Sequence, residues 1–307
     1  CGIFLNRWGA CPTSDTESTK RIFDCPQRPA WLQSMQNQLA TSPFTAIIMA
    51  ADRNPDDPVA RATGAPCKAL SPVGGTPMVL RVLSALEESP EVGPMLLCGP
   101  PRELMEQAKV LKSGIDAGDY GWMPNRESPS ISAAAAMEQI PASQPILLTT
   151  ADHALLSSSI LDEFCAQARS ADFDLVIALA PHELVATAYP GVRRTRLRFS
   201  DRDYCSCNLF AFMTPSSRAI AGFWRKVESQ RKRPWRVISI VGWWPVFKYL
   251  LGRLSLQEAL ARISSRLEIR VGAVILQHPE AAVDVDSEND WQLVQQIVAE
   301  KEKPREA

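Results

Sequence analysis

The chain has 307 residues, of which 46% are hydrophobic and 22% charged, and its formal net charge is −1. That length and apolar share allow one large domain or two small ones around a substantial core. The near-neutral charge carries no electrostatic footprint for nucleic acid, three histidines argue against a histidine-built zinc site, and eight scattered cysteines with no CxxC pair fit a reducing cytoplasm.

Residues 1–43 are rich in Ser, Thr, Pro, Gln and Arg. They read as a disordered or loosely packed extension with at most a short helix over Ala30–Leu39. Phe44–Ala50 is an apolar run of strand length, suited to a parallel strand buried on both faces. A polar, proline-punctuated loop spans Ala51–Pro66 and leads to Lys68. Gly74-Gly75 makes a turn, Thr76 is placed as an N-cap and Pro77 as the first helical residue. Met78, Val79, Val82, Leu83 and Leu86 then recur at helical spacing. A strand, a loop over its carboxyl end, a lysine and a helix make a site for a phosphorylated ligand.

Pro94–Cys98 reads as the second strand and Arg102–Lys112 as a helix. Gly114–Pro129 is rich in turns and carries Asn125, Arg126, Glu127 and Ser128. A helix follows, capped by Ser128, Ser130 or Ser132. Pro145–Thr150 is the next buried strand and ends at Ala151-Asp152-His153, ahead of a helix over Ser157–Ala168. Phe173–Leu179 is a further strand. Arg194, Arg196 and Arg198 alternate, so a strand would turn them to one face, toward an anionic ligand or along a charged sheet edge. The Asn208–Phe212 run returns as the second arm of a hairpin.

Ser216–Ser229 has helical spacing, and a basic run, Arg231–Arg236, follows. Val237–Leu251 is strongly apolar but too short and too interrupted to span a bilayer. It reads as a buried helical hairpin, with contact to membrane lipid or a lipid-linked acceptor as the minor alternative. Leu256–Leu267 is amphipathic. Asp284 and Asp286 share one side of a short strand. Ser287 and Asp290 have capping-box spacing for a last helix, and residues 301–307 are a solvated tail.

Three pieces, in this order, resemble the MobA-like nucleotidyltransferases. Ile47-Ile48-Met49-Ala50-Ala51, Arg53, Lys68-Ala69-Leu70 and Gly75-Thr76-Pro77-Met78 follow that family's opening motif. Asp152 falls at its central-strand aspartate, and Asp284-Val285-Asp286 at its closing Asp-Ile-Asp. Asp52 stands where the family's first loop glycine is, the second glycine is absent, and no proline follows Asp152. The resemblance implies an α/β, Rossmann-like GT-A fold with a mostly parallel sheet over residues 44–300, with a helical insertion near 216–267. It implies Mg²⁺-dependent transfer of an NMP group from an NTP to an anionic, phosphorylated acceptor, with release of pyrophosphate. Lys68 and Arg53 would bind the triphosphate, with Ala50, Ala51, Asn125 and Ser128 along the nucleotide. Asp152 and Asp286 would hold the metal, with Asp284 as the second choice beside Asp286. Arg196, Arg198, Asn208 and Lys232 would face the acceptor. A GT-A glycosyltransferase and a non-catalytic nucleotide-binding module are the alternatives.

Overall fold

A computed structural model describes residues 43–52, 56–190, 194–230 and 243–301. The expected extension up to residue 42, Arg53, the basic run with Lys232, and the apolar residues 237–242 lie outside the described residues.

The strands are β1 (Phe44–Met49), β2 (Pro72–Val73), β3 (Thr76–Pro77), β4 (Val92–Cys98) and β5 (Gly121–Met123), then β6 (Ile146–Thr150), β7 (Leu175–Pro181), β8 (Leu197–Arg198), β9 (Asp203–Phe212) and β10 (Val271–Ile275). One sheet runs β10-β7-β9-β6-β1-β4-β5, with β8 paired to β9, and β2–β3 form a separate hairpin. The β1–β4, β1–β6, β4–β5 and β7–β10 pairs are parallel, and β9 is inserted antiparallel between β6 and β7. This is the expected mostly parallel α/β architecture.

β1 lies at the centre, and its composition explains why. Phe44, Ala46 and Ile48 point into the larger core cluster with Leu83, Leu86, Ile160 and Phe164, which come from the helices Met78–Glu87 and Ser158–Ser170. Ile47 points the other way, toward Ala133, Met137 and Ile220. Both faces are covered, so the strand is a continuous apolar run. Ile47 and Ile48 are fully buried, each contributing about 1.5–3 kcal/mol.

β1 pairs with β4 on one side and with β6 on the other, so the chain's progress across the sheet reverses at β1. A crevice opens at the carboxyl ends of strands at such a point. Met49 is in register with Thr150, so the loops that begin at Ala50 and Ala151 leave the sheet side by side. The Ala151 N–H donates to Met49 O at 2.9 Å.

Several local expectations are corrected. Thr76 is not an N-cap and Pro77 is not helical. Gly74 and Gly75, at φ 57° and 78°, close a tight hairpin that pairs Val73 with Thr76, and the helix begins at Met78. The long loop before Lys68 contains a helix, Pro58–Thr63, capped by Asp57 (2.9 Å to Val59 N–H) and stopped by Gly64 at φ 67°. Arg102–Lys112 is two helices, Arg102–Met105 and Lys109–Ala117, separated where buried Ala108 leaves helical geometry. Asp284 and Asp286 are not on a strand. They follow a short 3-10 turn, Pro279–Ala282, in an irregular segment fastened by Val285 N–H to Asp152 O at 3.1 Å. Arg194, Arg196 and Arg198 do not share a strand face, because β8 covers only Leu197–Arg198. Within residues 216–267, helices Ile220–Gln230, Trp243–Leu250 and Leu256–Leu267 are described, and Trp244, Phe247, Leu250 and Leu251 are exposed, so the described part of Val237–Leu251 is not the buried hairpin expected. Among the described residues no helix is long and apolar enough to cross a membrane.

Candidate functional site

Lys68 opens a 3-10 turn, Lys68–Leu70, whose Ala69 and Leu70 are buried and anchor it. Its backbone N–H donates to both carboxylate oxygens of Asp52, at 2.9 and 3.2 Å. The residue that replaces a family glycine therefore holds the lysine's main chain. Burial pushes the Asp52 carboxyl above its usual value, with the Lys68 N–H acting against that.

The Lys68 side chain crosses the crevice. Its ammonium donates to Asp152 Oδ2 at 2.5 Å and to Asp286 Oδ1 at 2.9 Å. Lys68 and Asp152 side chains are each 15% exposed and Asp286 is 61% exposed, so the cluster opens to solvent on the Asp286 side. Burial alone would lower the Lys68 pKa. The carboxylates of Asp152 and Asp286 outweigh it and hold the ammonium above its usual range. Asp152 Oδ1 is buried and has no hydrogen-bond partner among the described residues.

Behind this trio lies Asp284. Arg194 pairs with its carboxylate and also donates to its main-chain oxygen at 2.6 Å and to Asp290 Oδ1 at 3.4 Å. Asn208, at φ 50° within β9, donates to Asp284 Oδ2 at 2.9 Å. Burial raises the Asp284 carboxyl, Arg194 opposes this, and the neighbouring Asp152 and Asp286 add to the rise. The Ser287 half of the expected capping box forms: Asp290 N–H donates to Ser287 Oγ at 3.3 Å, while Asp290 Oδ2 accepts from Ser287 Oγ at 2.7 Å and from the Asp286 N–H at 3.4 Å. His153, next to Asp152, is buried, and burial lowers its pKa to about 4, so its ring is neutral. Among the described residues, four carboxylates, Asp152, Asp284, Asp286 and Asp290, thus meet two cations, Lys68 and Arg194, and Asp52 holds the Lys68 main chain.

The crevice brings Lys68, Asp152 and Asp286 into direct contact. Asn208 joins through Asp284. Ala50 and Ala51 sit on the loop after β1, where Gly99, at φ +90°, leaves room: a Cβ there would lie 3.1 Å from Ala50 C and Ala51 N. Asn125 lies on the loop after β5, and its Oδ1 is buried without a partner among the described residues. Ser128 caps the helix Pro129–Glu138, its Oγ accepting the Ile131 N–H at 3.4 Å. Arg196 is paired with Asp203, and Arg198 is exposed on β8. Arg194 was not singled out by sequence, because nothing separates it from Arg196 and Arg198 until the chain is folded.

A concavity of about 550 Å³ between the helices Pro129–Glu138 and Ile220–Gln230 is lined by Ala134, Ala135, Gly222 and Arg225 and contains none of these site residues.

Comparison with known proteins bears on the fold and the family. A "Hypothetical Transferase Structure from Thermus thermophilus" is 28% identical, with TM-score 0.67, over 81% of this chain and all of that one. A CMP:2-keto-3-deoxy-manno-octonic acid synthetase complexed with CTP is 14% identical with TM-score 0.51, over 85% of this chain and all of that one. The 4-diphosphocytidyl-2C-methyl-D-erythritol synthase of Anaerococcus prevotii is 10% identical with TM-score 0.52, over 87% of this chain and 99% of that one. The last two, at such low identity, speak to the fold alone. No curated protein matches the chain in sequence. Residues 46–270 match the MobA-like NTP transferase domain, a stretch that includes Lys68 and Asp152 and stops short of Asp284 and Asp286. The chain belongs to the MobA-like NTP transferase domain family and is a nucleotidyltransferase.

Proposed function

We propose that the chain moves an NMP group from an NTP to a phosphorylated acceptor at the Lys68–Asp152–Asp286 crevice, with Mg²⁺, releasing pyrophosphate. The convergence of Asp152 and Asp286 on one cation, the Lys68 ammonium, carries this reading. The same two carboxylates suit Mg²⁺, which takes oxygen ligands, is commonly held by one or two carboxylates, and leaves its remaining positions to water and substrate phosphates. Asp152 Oδ1, buried and without a hydrogen-bond partner among the described residues, supports that donor set. Mg²⁺ bound there would neutralise the α-phosphate and the leaving pyrophosphate.

This chain's own residues do the positioning. An acceptor phosphate oxygen attacks the α-phosphorus, and the bond from the α-phosphorus to the bridging oxygen breaks. The electron pair leaves with pyrophosphate. Lys68 reaches from a fixed backbone and stabilises the charge that grows on the leaving group. Arg194 and Asn208 hold Asp284, and with it the segment that carries Asp286. Asn208 therefore serves the carboxylates, and Arg196, Arg198 and Lys232 remain the cations for an anionic acceptor. In this reading Ala50, Ala51 and Asn125 would meet the nucleotide, with Arg53 a further cation for its phosphates.

Thermal shift over the four NTPs and a set of nucleotide sugars, with and without Mg²⁺, selects the donor class. Pyrophosphate release with phosphorylated acceptors then tests transfer. Stabilisation by an NTP with Mg²⁺, lost in Asp152→Asn, supports the reading. Stabilisation by nucleotide sugars alone would replace it with the glycosyltransferase alternative.

A further inference from the structure

We propose that Lys68 is the resident cation of the Asp152–Asp286 site in the nucleotide-free protein, and that a divalent ion enters only when a triphosphate draws the ammonium away. The inference rests on the transferase reading for what replaces the lysine, and on geometry for the rest.

The ammonium lies 2.5 Å from Asp152 Oδ2 and 2.9 Å from Asp286 Oδ1. A Mg²⁺ or Mn²⁺ ion takes such oxygens at about 2.0–2.2 Å. An ion bridging these two oxygens would occupy the space the ammonium fills. Two cations at that separation repel, so the occupants exclude each other. The lysine can yield without moving the fold. Asp52 fixes its main chain at 2.9 and 3.2 Å and Ala69 and Leu70 are buried, so the four-carbon side chain is the only part that has to swing. A triphosphate offers the ammonium a new anionic partner as the carboxylates gain a divalent one. Nucleotide and divalent ion then favour each other's binding, beyond their association in solution, and the coupling is reciprocal.

The lysine thus has two stations. At the carboxylates it competes with stray divalent ions for the same oxygens. On the triphosphate it stabilises the leaving group.

Mn²⁺ binding to the metal-free, full-length protein, without nucleotide, tests this by electron paramagnetic resonance of the free ion. The wild type should bind Mn²⁺ weakly at this site. Lys68→Met should bind it about tenfold more tightly or better, the factor set by losing one charge-assisted competitor. Lys68→Met/Asp152→Asn should lose that gain. Lys68→Gln, which keeps a polar group in place, carries the same expectation if Lys68→Met does not fold. In either variant Mn²⁺ should raise the melting temperature more than it does in the wild type. Unchanged or weaker Mn²⁺ binding in the folded variant would overturn the proposal, as would a gain that survives Asp152→Asn. No nucleotide is present, so a positive result combined with no pyrophosphate release would reject the transferase reading and leave the cation exchange standing.

Discussion

Replacing Arg194 with methionine keeps most of its aliphatic bulk and removes the guanidinium from Asp284. The side chain is 9% exposed and Asp284 is 24% exposed, so the pair is largely screened from water. The change deletes the contact to the Asp284 carboxylate, the 2.6 Å bond to its main-chain oxygen and the 3.4 Å bond to Asp290. Removing one partner of a buried pair costs about 3–5 kcal/mol. The partial exposure of Asp284 and its retained bond from Asn208 at 2.9 Å reduce that, leaving about 2–4 kcal/mol. For a domain of this size that lowers the melting temperature by roughly 4–16 °C. Urea unfolding of the wild type, Arg194→Met, Asp284→Asn and the double variant isolates the pair, with an expected coupling of about 2 kcal/mol. The sign of the pH dependence is fixed as well. The Asp284 carboxyl is already above its usual value, and losing Arg194 raises it further. The deficit should therefore be small in acid and grow as pH rises through the folded-state pKa of Asp284. A coupling under about 0.5 kcal/mol would show that Arg194 does not hold this segment.

Lys68→Ala should lower turnover by about a hundredfold, equivalent to ~2.7 kcal/mol, while far-UV circular dichroism stays unchanged. Lys68→Arg should not restore the rate, because the guanidinium fork is larger and differently placed. Gly99→Ala puts a Cβ 3.1 Å from Ala50 C and Ala51 N at φ +90°. It should cost about 1–3 kcal/mol in denaturant unfolding and weaken nucleotide binding, and unchanged values for both would mean the loop yields freely. His153 is kept neutral in the fold, its pKa lowered to about 4 from 6.5. Metal-free protein should therefore lose stability as pH falls from about 6.5 toward 4, by up to about 3 kcal/mol. Asp52 and Asp284, raised by burial, act in the opposite sense. The slope between pH 6.5 and 5 should flatten in His153→Leu, and a slope identical to wild type would assign it to another group.

The elements that announce themselves in the sequence are those whose pattern is set by full burial. β1 and β6 were legible as apolar runs because helices cover both of their faces. Lys68, Asp152 and Asp286 were legible as separate motif pieces, and the sheet brings them together. Where local chemistry competes, reading by period fails. Thr76-Pro77 has a helix-start composition, but the Gly-Gly turn pairs it into a hairpin first. The Pro58–Thr63 helix had its signals in plain view, Asp57 before Pro58 and Gly64 after Thr63, hidden inside a segment read as loop. Arg194 had no local signal. Its partner, Asp284, is 90 residues away, and only the topology makes them neighbours.

A crystal structure of the protein with Mn²⁺ and a non-hydrolysable NTP analogue reads the central claim directly. The ion should lie between the Asp152 and Asp286 carboxylates, with the Lys68 ammonium moved onto the triphosphate and the α-phosphorus open toward Arg196 and Arg198. A nucleotide bound elsewhere, or a lysine still bridging Asp152 and Asp286 beside bound triphosphate, would contradict it.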